Sequence, residues 1–345
     1  MVRDVWQRGQ FWHEPFRQLA VSGDENTHQQ SVCRVANDGV AVFSGKRMTT
    51  PPAPARLFVL LAREAPVGVI LRRGPSQWVQ LIKWNTDTDA FEPGQWFKGR
   101  IYERECDLSP DGKLLLYFAY KGGNWSKNPD YTSSWTAISK PPYFTALALW
   151  PFGDTRGGGG RFRDNKSIWL HRRDAEPHPN HLPKGIEVIA PNEGLDDQGL
   201  RKEIERTSWT LRQRGQITRE IQPGLEVSEL FNQIRKDWWI TKLDPPTTTQ
   251  KRGDSYVLIQ KYLGLRRHYG AVYEYSIIDN QNREIKVEGA TCLDFDQPGR
   301  IIIAKAGKLY TAAITDQGEL ALTEIADFNA NKPEPVETPD WAKKW

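Results

Sequence analysis

Cys106-Asp-Leu-Ser-Pro-Asp-Gly-Lys-Leu-Leu-Leu-Tyr-Phe-Ala119 joins a short strand to a long apolar one through a turn whose residues each have a job. Pro110 presets φ at the second turn position, Asp111 caps the turn with its own side chain, and Gly112 tolerates φ > 0. A degenerate copy stands at Cys292-Leu-Asp-Phe-Asp-Gln-Pro-Gly-Arg-Ile-Ile-Ile303. The residues upstream also match. Trp78-Val-Gln-Leu-Ile-Lys-Trp-Asn85, a turn and Trp96-Phe-Lys-Gly99 precede the first copy. Tyr273-Glu-Tyr-Ser-Ile-Ile-Asp-Asn280, a turn and Ile285-Lys-Val-Glu-Gly289 precede the second. Both read strand, Asn/Asp turn, strand, Cys-strand, Gly turn, basic residue, apolar strand. Cys106 and Cys292 are therefore expected in matching positions as small buried hydrophobes. They are roughly four units apart at the ~40–45 residues of a propeller repeat.

Outward from these copies the chain alternates short apolar runs with turn residues. Leu57–Leu61, Val69–Leu71, Trp78–Trp84 and Gln95–Phe97 form a four-strand meander. Phe144–Trp150 and Ser167–His171 add strands, with Gly157–Gly160 read as a flexible loop between them. After residue 251 the β texture returns as a series of short runs ending at Leu320–Ile325. Residues 1–55 form a polar N-terminal arm, 56–328 the repeat region, and 329–345 a Pro-rich tail. Within the repeat region, 174–251 is an irregular insertion or a degenerate blade. Val227, Leu230, Phe231, Ile234 and Trp238 recur at helical spacing, which predicts a helix near 227–239. Pro245-Pro246-Thr-Thr-Thr249 is read as loop.

Ser109-Pro-Asp-Gly-Lys113 followed by an apolar strand resembles the turn motif of WD40-like and TolB-type propeller repeats. Asp296-Gln-Pro-Gly-Arg300 resembles a worn version of it, and the whole chain is similar to bacterial proteins of WD40-like type. The resemblance implies an all-β fold: a β-propeller-like array of about five to seven four-stranded antiparallel blades with a small helical or irregular insertion. The Trp-Asp dipeptide and Gly-His signature of true WD40 blades are missing. The competing architecture is a pair of β-sandwiches split near 174–251; it explains the strands equally well but not the repeated Cys-strand units.

Composition bounds the function. The 345 residues are 38% hydrophobic and 26% charged, enough for a substantial core under a well-solvated surface. A net charge of +4, from 47 basic and 43 acidic residues, is too balanced to point to a nucleic-acid partner. Three scattered cysteines make no Cys-x-x-Cys pair. The first residues are polar, and the cleanest apolar run, Leu57–Ala62, falls far short of the ~20 residues of a membrane span. A soluble, cytoplasmic protein is expected.

Catalytic motifs are not legible. There is no Gly-x-Ser-x-Gly elbow and no His-Glu-x-x-His, and the Gly157–Gly160 run lacks the Lys-Ser/Thr of a phosphate loop. His171, His178 and His181 form the one histidine cluster, but their spacing matches no ligand pattern. Asp107 and Asp294 flank the repeat turns, where local hydrogen bonding is the expected role. No catalytic residue, metal site or cofactor is nominated. Fourteen tryptophans call for packing or for binding platforms. Trp125, Tyr131, Trp135, Tyr143 and Trp150 are the candidate recognition residues, because aromatics on loops make rigid, low-entropy anchors. Two functions follow. One is a non-enzymatic scaffold that binds another protein. The other is a hydrolase or lyase acting on a sugar or peptide in the propeller channel. Oligomeric state stays open.

Overall fold

The structure, a computed structural model, describes residues 53–74, 77–122, 131–155, 157–172, 175–189, 209–220, 239–266 and 270–345. These residues form five antiparallel-rich sheets in chain order. The first holds β1 (Arg56–Leu61), β2 (Val67–Arg73), β3 (Trp78–Asn85) and β4 (Ala90–Lys98) as a meander. The second holds β5 (Arg100–Ile101), β6 (Asp107–Leu108), β7 (Leu115–Tyr120), β8 (Ser134–Ser139) and β9 (Ala148–Phe152). Both β5 and β6 pair with β7, and a 3-10 turn at Glu103–Glu105 separates them.

The third sheet is smaller: β10 (Gly160–Asp164), β11 (Ser167–Leu170) and β12 (Glu187–Ile189), the last pair parallel. The fourth comprises β13 (Trp209–Gln213), β14 (Ile217–Glu220), β15 (Trp239–Arg252), β16 (Val257–Arg266), β17 (Gly270–Ile278) and β18 (Glu284–Lys286). The fifth, β19 (Ala290–Phe295), β20 (Ile301–Lys305), β21 (Lys308–Ile314) and β22 (Leu320–Asp327), is again a four-strand meander.

Alternation along the strands determines how the sheets stack. Successive side chains point to opposite faces, and in the first, second and fifth sheets both faces are covered. In β2, Val69 and Leu71 enter a core shared with the second sheet, while Ile70 enters one shared with the fifth. In β7, Leu115, Tyr117 and Ala119 face the first sheet, while Leu116 and Phe118 face the third. In β20, Ile302 and Ala304 face the first sheet, while Ile301 and Ile303 face the fourth. The stacking order is thus third, second, first, fifth, fourth, and the first and last sheets of the chain are neighbours. This is a propeller-like array of blades, each packed face to face on the next.

The turns are the second fastener. Asp279 and Asp296 each accept the backbone N–H four residues on and a 2.6–2.7 Å bond from the same arginine's Nε, so Arg283 and Arg300 clasp identical hairpins. Each arginine also reaches the neighbouring blade. Arg283 donates to Asp316 O, and Arg300 donates to both Asp89 carboxylate oxygens and to Thr86 O.

Three readings of the sequence need correction. The two cysteines are not equivalent: Asp107 pairs with Leu116 and Asp294 with Ile302 on the same ladder rung, so the true counterparts are Asp107 and Asp294. The Ser109 turn is one residue longer than the Asp296 turn, which shifts the match. Pro245-Pro246 lies inside β15 rather than in a loop; the register with β16 breaks between Lys242 and Thr247, so a bulge accommodates the missing N–H groups. Gly157–Gly160 is not a loose loop tip either: Gly160 starts β10, and a Cβ on Gly158 or Gly159 would strike Phe118 or the Glu105 backbone. Most of the expected helix near 227–239 falls outside the described residues, and Trp239 itself begins β15.

Candidate functional site

The inner strands β1, β6, β10 and β19 neighbour one another in series, and the excursion at Glu103–Glu105 projects from the inner edge of the second sheet. Its middle residue, Arg104, crosses to the fourth sheet. Arg104 Nη2 donates to Tyr275 Oη at 2.9 Å, and its guanidinium lies 3.5 Å from the Tyr273 ring centroid and 5.2 Å from that of Phe58 on β1. Tyr273 and Tyr275 share a face of β17 because they alternate by two. Tyr262 on β16 packs beside Tyr273, and Tyr275 Oη donates on to Thr291 O at 3.3 Å. Arg104, Phe58, Tyr262 and Tyr273 are half-buried, so this cage of residues from three sheets is not sealed into the core. Burial pushes the Tyr262 and Tyr275 hydroxyls up to about 12, which keeps them neutral donors across the physiological range.

Beside the cage, His171 Nδ1 lies 2.9 Å from the Glu105 carboxylate; the two side chains keep 25% and 30% of their exposure. Burial by itself would raise the Glu105 carboxyl. The His171 hydrogen bond and the Arg161 and Arg104 charges outweigh it and hold the group below the usual carboxylate range. Arg161 locks the excursion by donating to Arg104 O and Cys106 O. The glycine run makes room, because His171 N donates to Gly159 O against the Glu105 backbone. Asp107 accepts Phe162 N–H at 2.7 Å and Asp294 pairs with Lys251 at 2.6 Å, so both join neighbouring sheets; Asp294 also makes the expected local bond, accepting Phe295 N–H at 2.8 Å. Burial raises both cysteine thiols, Cys292 to about 11, so neither supplies a thiolate at neutral pH.

Of the candidate aromatics, Tyr131 and Trp135 both pack against the core between the first and second sheets. Trp150, 1% exposed, is part of the core between the second and third sheets. Trp135 packs edge-on against Phe97. Tyr131 stacks on His178 at 4.6 Å, with its hydroxyl 3.3 Å from His181. Tyr143 meets Trp341 edge-on. Trp125 lies outside the described residues. The histidine cluster is divided, His171 going to the centre and the other two to Tyr131. Sequence reading missed Arg104, Glu105, Tyr273 and Tyr275. Only Tyr-x-Tyr in a strand hinted at a shared face; nothing local marks Glu103-Arg-Glu105 as an inward excursion.

Fold and centre together define an all-β, propeller-like array of antiparallel blades. No family model matches the chain, and no curated protein matches it. Among solved structures it is similar to the GH43 protein BlXynB of Bacillus licheniformis, with 8% identity, 80% of this chain and 56% of that chain covered, and a TM-score of 0.30. A candidate 6-phosphogluconolactonase of Bacteroides fragilis gives 12% identity, coverage of 80% and 96%, and a TM-score of 0.28. The tricorn protease gives 8%, 78% and 27%, and 0.21. The chain spans little more than half of the first of these, and likenesses this slight assign neither a family nor an activity. No helix among the described residues is long and apolar enough to cross a membrane.

Proposed function

We propose that this chain is a non-enzymatic interaction scaffold of the WD40-like, TolB-type kind, working in the cytoplasm, and that it engages a protein partner at the central cage. The supporting observation is the Arg104 guanidinium held half-buried between Tyr273 and Phe58 and anchored by Tyr275. Arginine and tyrosine held in rigid, partly desolvated positions are the residue types that dominate binding hot spots. The test is capture from the native host with the wild type and with Arg104→Ala and Tyr273→Ala. A stoichiometric protein retained by the wild type and lost by both variants supports the reading; a protein retained equally by all three sinks it.

A second reading, a hydrolase or lyase acting on a sugar or peptide, is favoured by the Glu105–His171 pair, since a carboxylate-oriented imidazole can move a proton. Screening glycosides and peptides would then reveal turnover that Glu105→Gln reduces by about 10²–10⁴-fold. Turnover unchanged in that variant removes the pair from the chemistry.

A further inference from the structure

A group of arginines stands at the ends of the inner strands away from the interlocked turns. Arg56 begins β1, Arg100 begins β5, and Arg73 ends β2 directly opposite Arg56 in the antiparallel register. Both β1 and β5–β6 run from these arginines toward the turns at 62–66 and 109–114, where Glu64 N donates to Pro110 O. The arginines therefore share the opposite rim. Arg73 Nη1 and Arg100 Nε are buried nitrogens with no hydrogen-bond partner, and none of the three side chains has a salt-bridge partner among the described residues. Buried polar atoms are almost always satisfied, and a charged donor left without an acceptor is the rarest exception. Burial first, then Arg100, push Arg73 down to about 10; Glu103 opposes this and Arg56 adds to it. Among the described residues, the two arginines beside Arg73 thus outnumber the one carboxylate that opposes them. The Tyr102 ring lies 5.1 Å from the Arg100 guanidinium and stacks on Phe118, giving the corner a fixed aromatic wall.

We propose that Arg56, Arg73 and Arg100 form a binding site for the dianionic phosphate group of a small phosphomonoester, with Tyr102 as the wall beside it. On Arg73 the charges of Arg100 and Arg56 meet one carboxylate, Glu103, so a doubly negative phosphate monoester suits the cluster. Guanidinium forks fit its oxygens in pairs. The site is independent of the reading of the central cage, since none of its residues belongs to that cage.

The test is thermal unfolding of the full chain at fixed ionic strength with phenyl phosphate, inorganic phosphate, acetate or chloride as the probe. Phenyl phosphate and inorganic phosphate should each raise the melting temperature saturably, as a ligand of the native state must; acetate and chloride should not. Phenyl phosphate should act at lower concentration, because its ring adds contact with Tyr102. Arg73→Met should melt no lower than the wild type without phosphate, since it removes an unpaired buried cation, and should need at least tenfold more phosphate for the same shift. Arg56→Gln, at an exposed strand start, should weaken phosphate similarly and serves if Arg73→Met does not fold. Equal shifts with chloride, or an undiminished phosphate response in Arg56→Gln, would overturn the site. Inorganic phosphate acting as strongly as phenyl phosphate would overturn the monoester assignment.

Discussion

Arg300 holds two blades together with one side chain. Its Nε binds Asp296, its Nη atoms bind both oxygens of Asp89, and it also reaches Thr86 O. The Arg300 hydrogen bonds hold the Asp89 carboxyl below its ordinary value, although burial opposes them. Asp296 behaves differently: burial pushes its carboxyl up despite the same arginine. Arg300→Met would leave a buried Asp296 without its cation. Arg300 itself is one-third exposed, so the full cost of breaking a buried pair is not expected. A loss of about 2 kcal/mol is the expected outcome, read from urea unfolding. A loss below about 0.5 kcal/mol would show that the clasp is an ordinary surface pair. Gly158 and Gly159 are a contrasting case. Their composition suggests looseness, yet they sit where Phe118 and the Glu105 backbone leave no room for a Cβ.

Among the elements, the C-terminal segment does more than its proline content suggests. After β22, Arg72 donates to Phe328 O and Asn329 O, and Asn331 donates to Gln80. Gln95 then donates to Val336 O and Thr338, and Lys140 to Trp341 O and Lys344 O. Trp345 packs against the core between the second and third sheets. The segment is a strap laid across the first two sheets. Removing residues 331–345 should cost roughly 3 kcal/mol, from several bonds of about 1 kcal/mol each and one partly buried indole. Calorimetry of the truncated chain checks this; an unchanged melting temperature would mean that the strap merely rests on the surface. β15 makes a related point, because its two prolines are accommodated by a bulge that no local rule anticipates.

At the scale of the whole molecule, the stacking order decides where chemistry can occur. Placing the first sheet beside the last closes Leu57, Ile70, Ile82 and Trp84 onto Cys292, Ile302 and Leu309, residues more than two hundred positions apart. The array curls enough for Arg104 of the second sheet to touch Tyr275 of the fourth. The cage exists only through that curl. Arg104→Ala should therefore abolish partner capture while leaving the four interblade cores, none of which contains Arg104, intact.

The β texture, the meanders of the first and fifth sheets and the Pro-Asp-Gly and Pro-Gly hairpins are legible in the residues alone. All of these depend on period-two alternation and on turn residues a few positions apart, and local backbone sterics suffice to specify them. Register was harder to see, since one additional residue in the Ser109 turn moved the match from the cysteines to Asp107 and Asp294. That Trp150 is core, that His171 parts from His178 and His181, and that Arg104 meets Tyr273 and Tyr275 emerges once the blades are packed. Those contacts join residues from separate blades, and which blades become neighbours is set by burying both faces of the three inner sheets at once, a condition that no single segment of sequence contains.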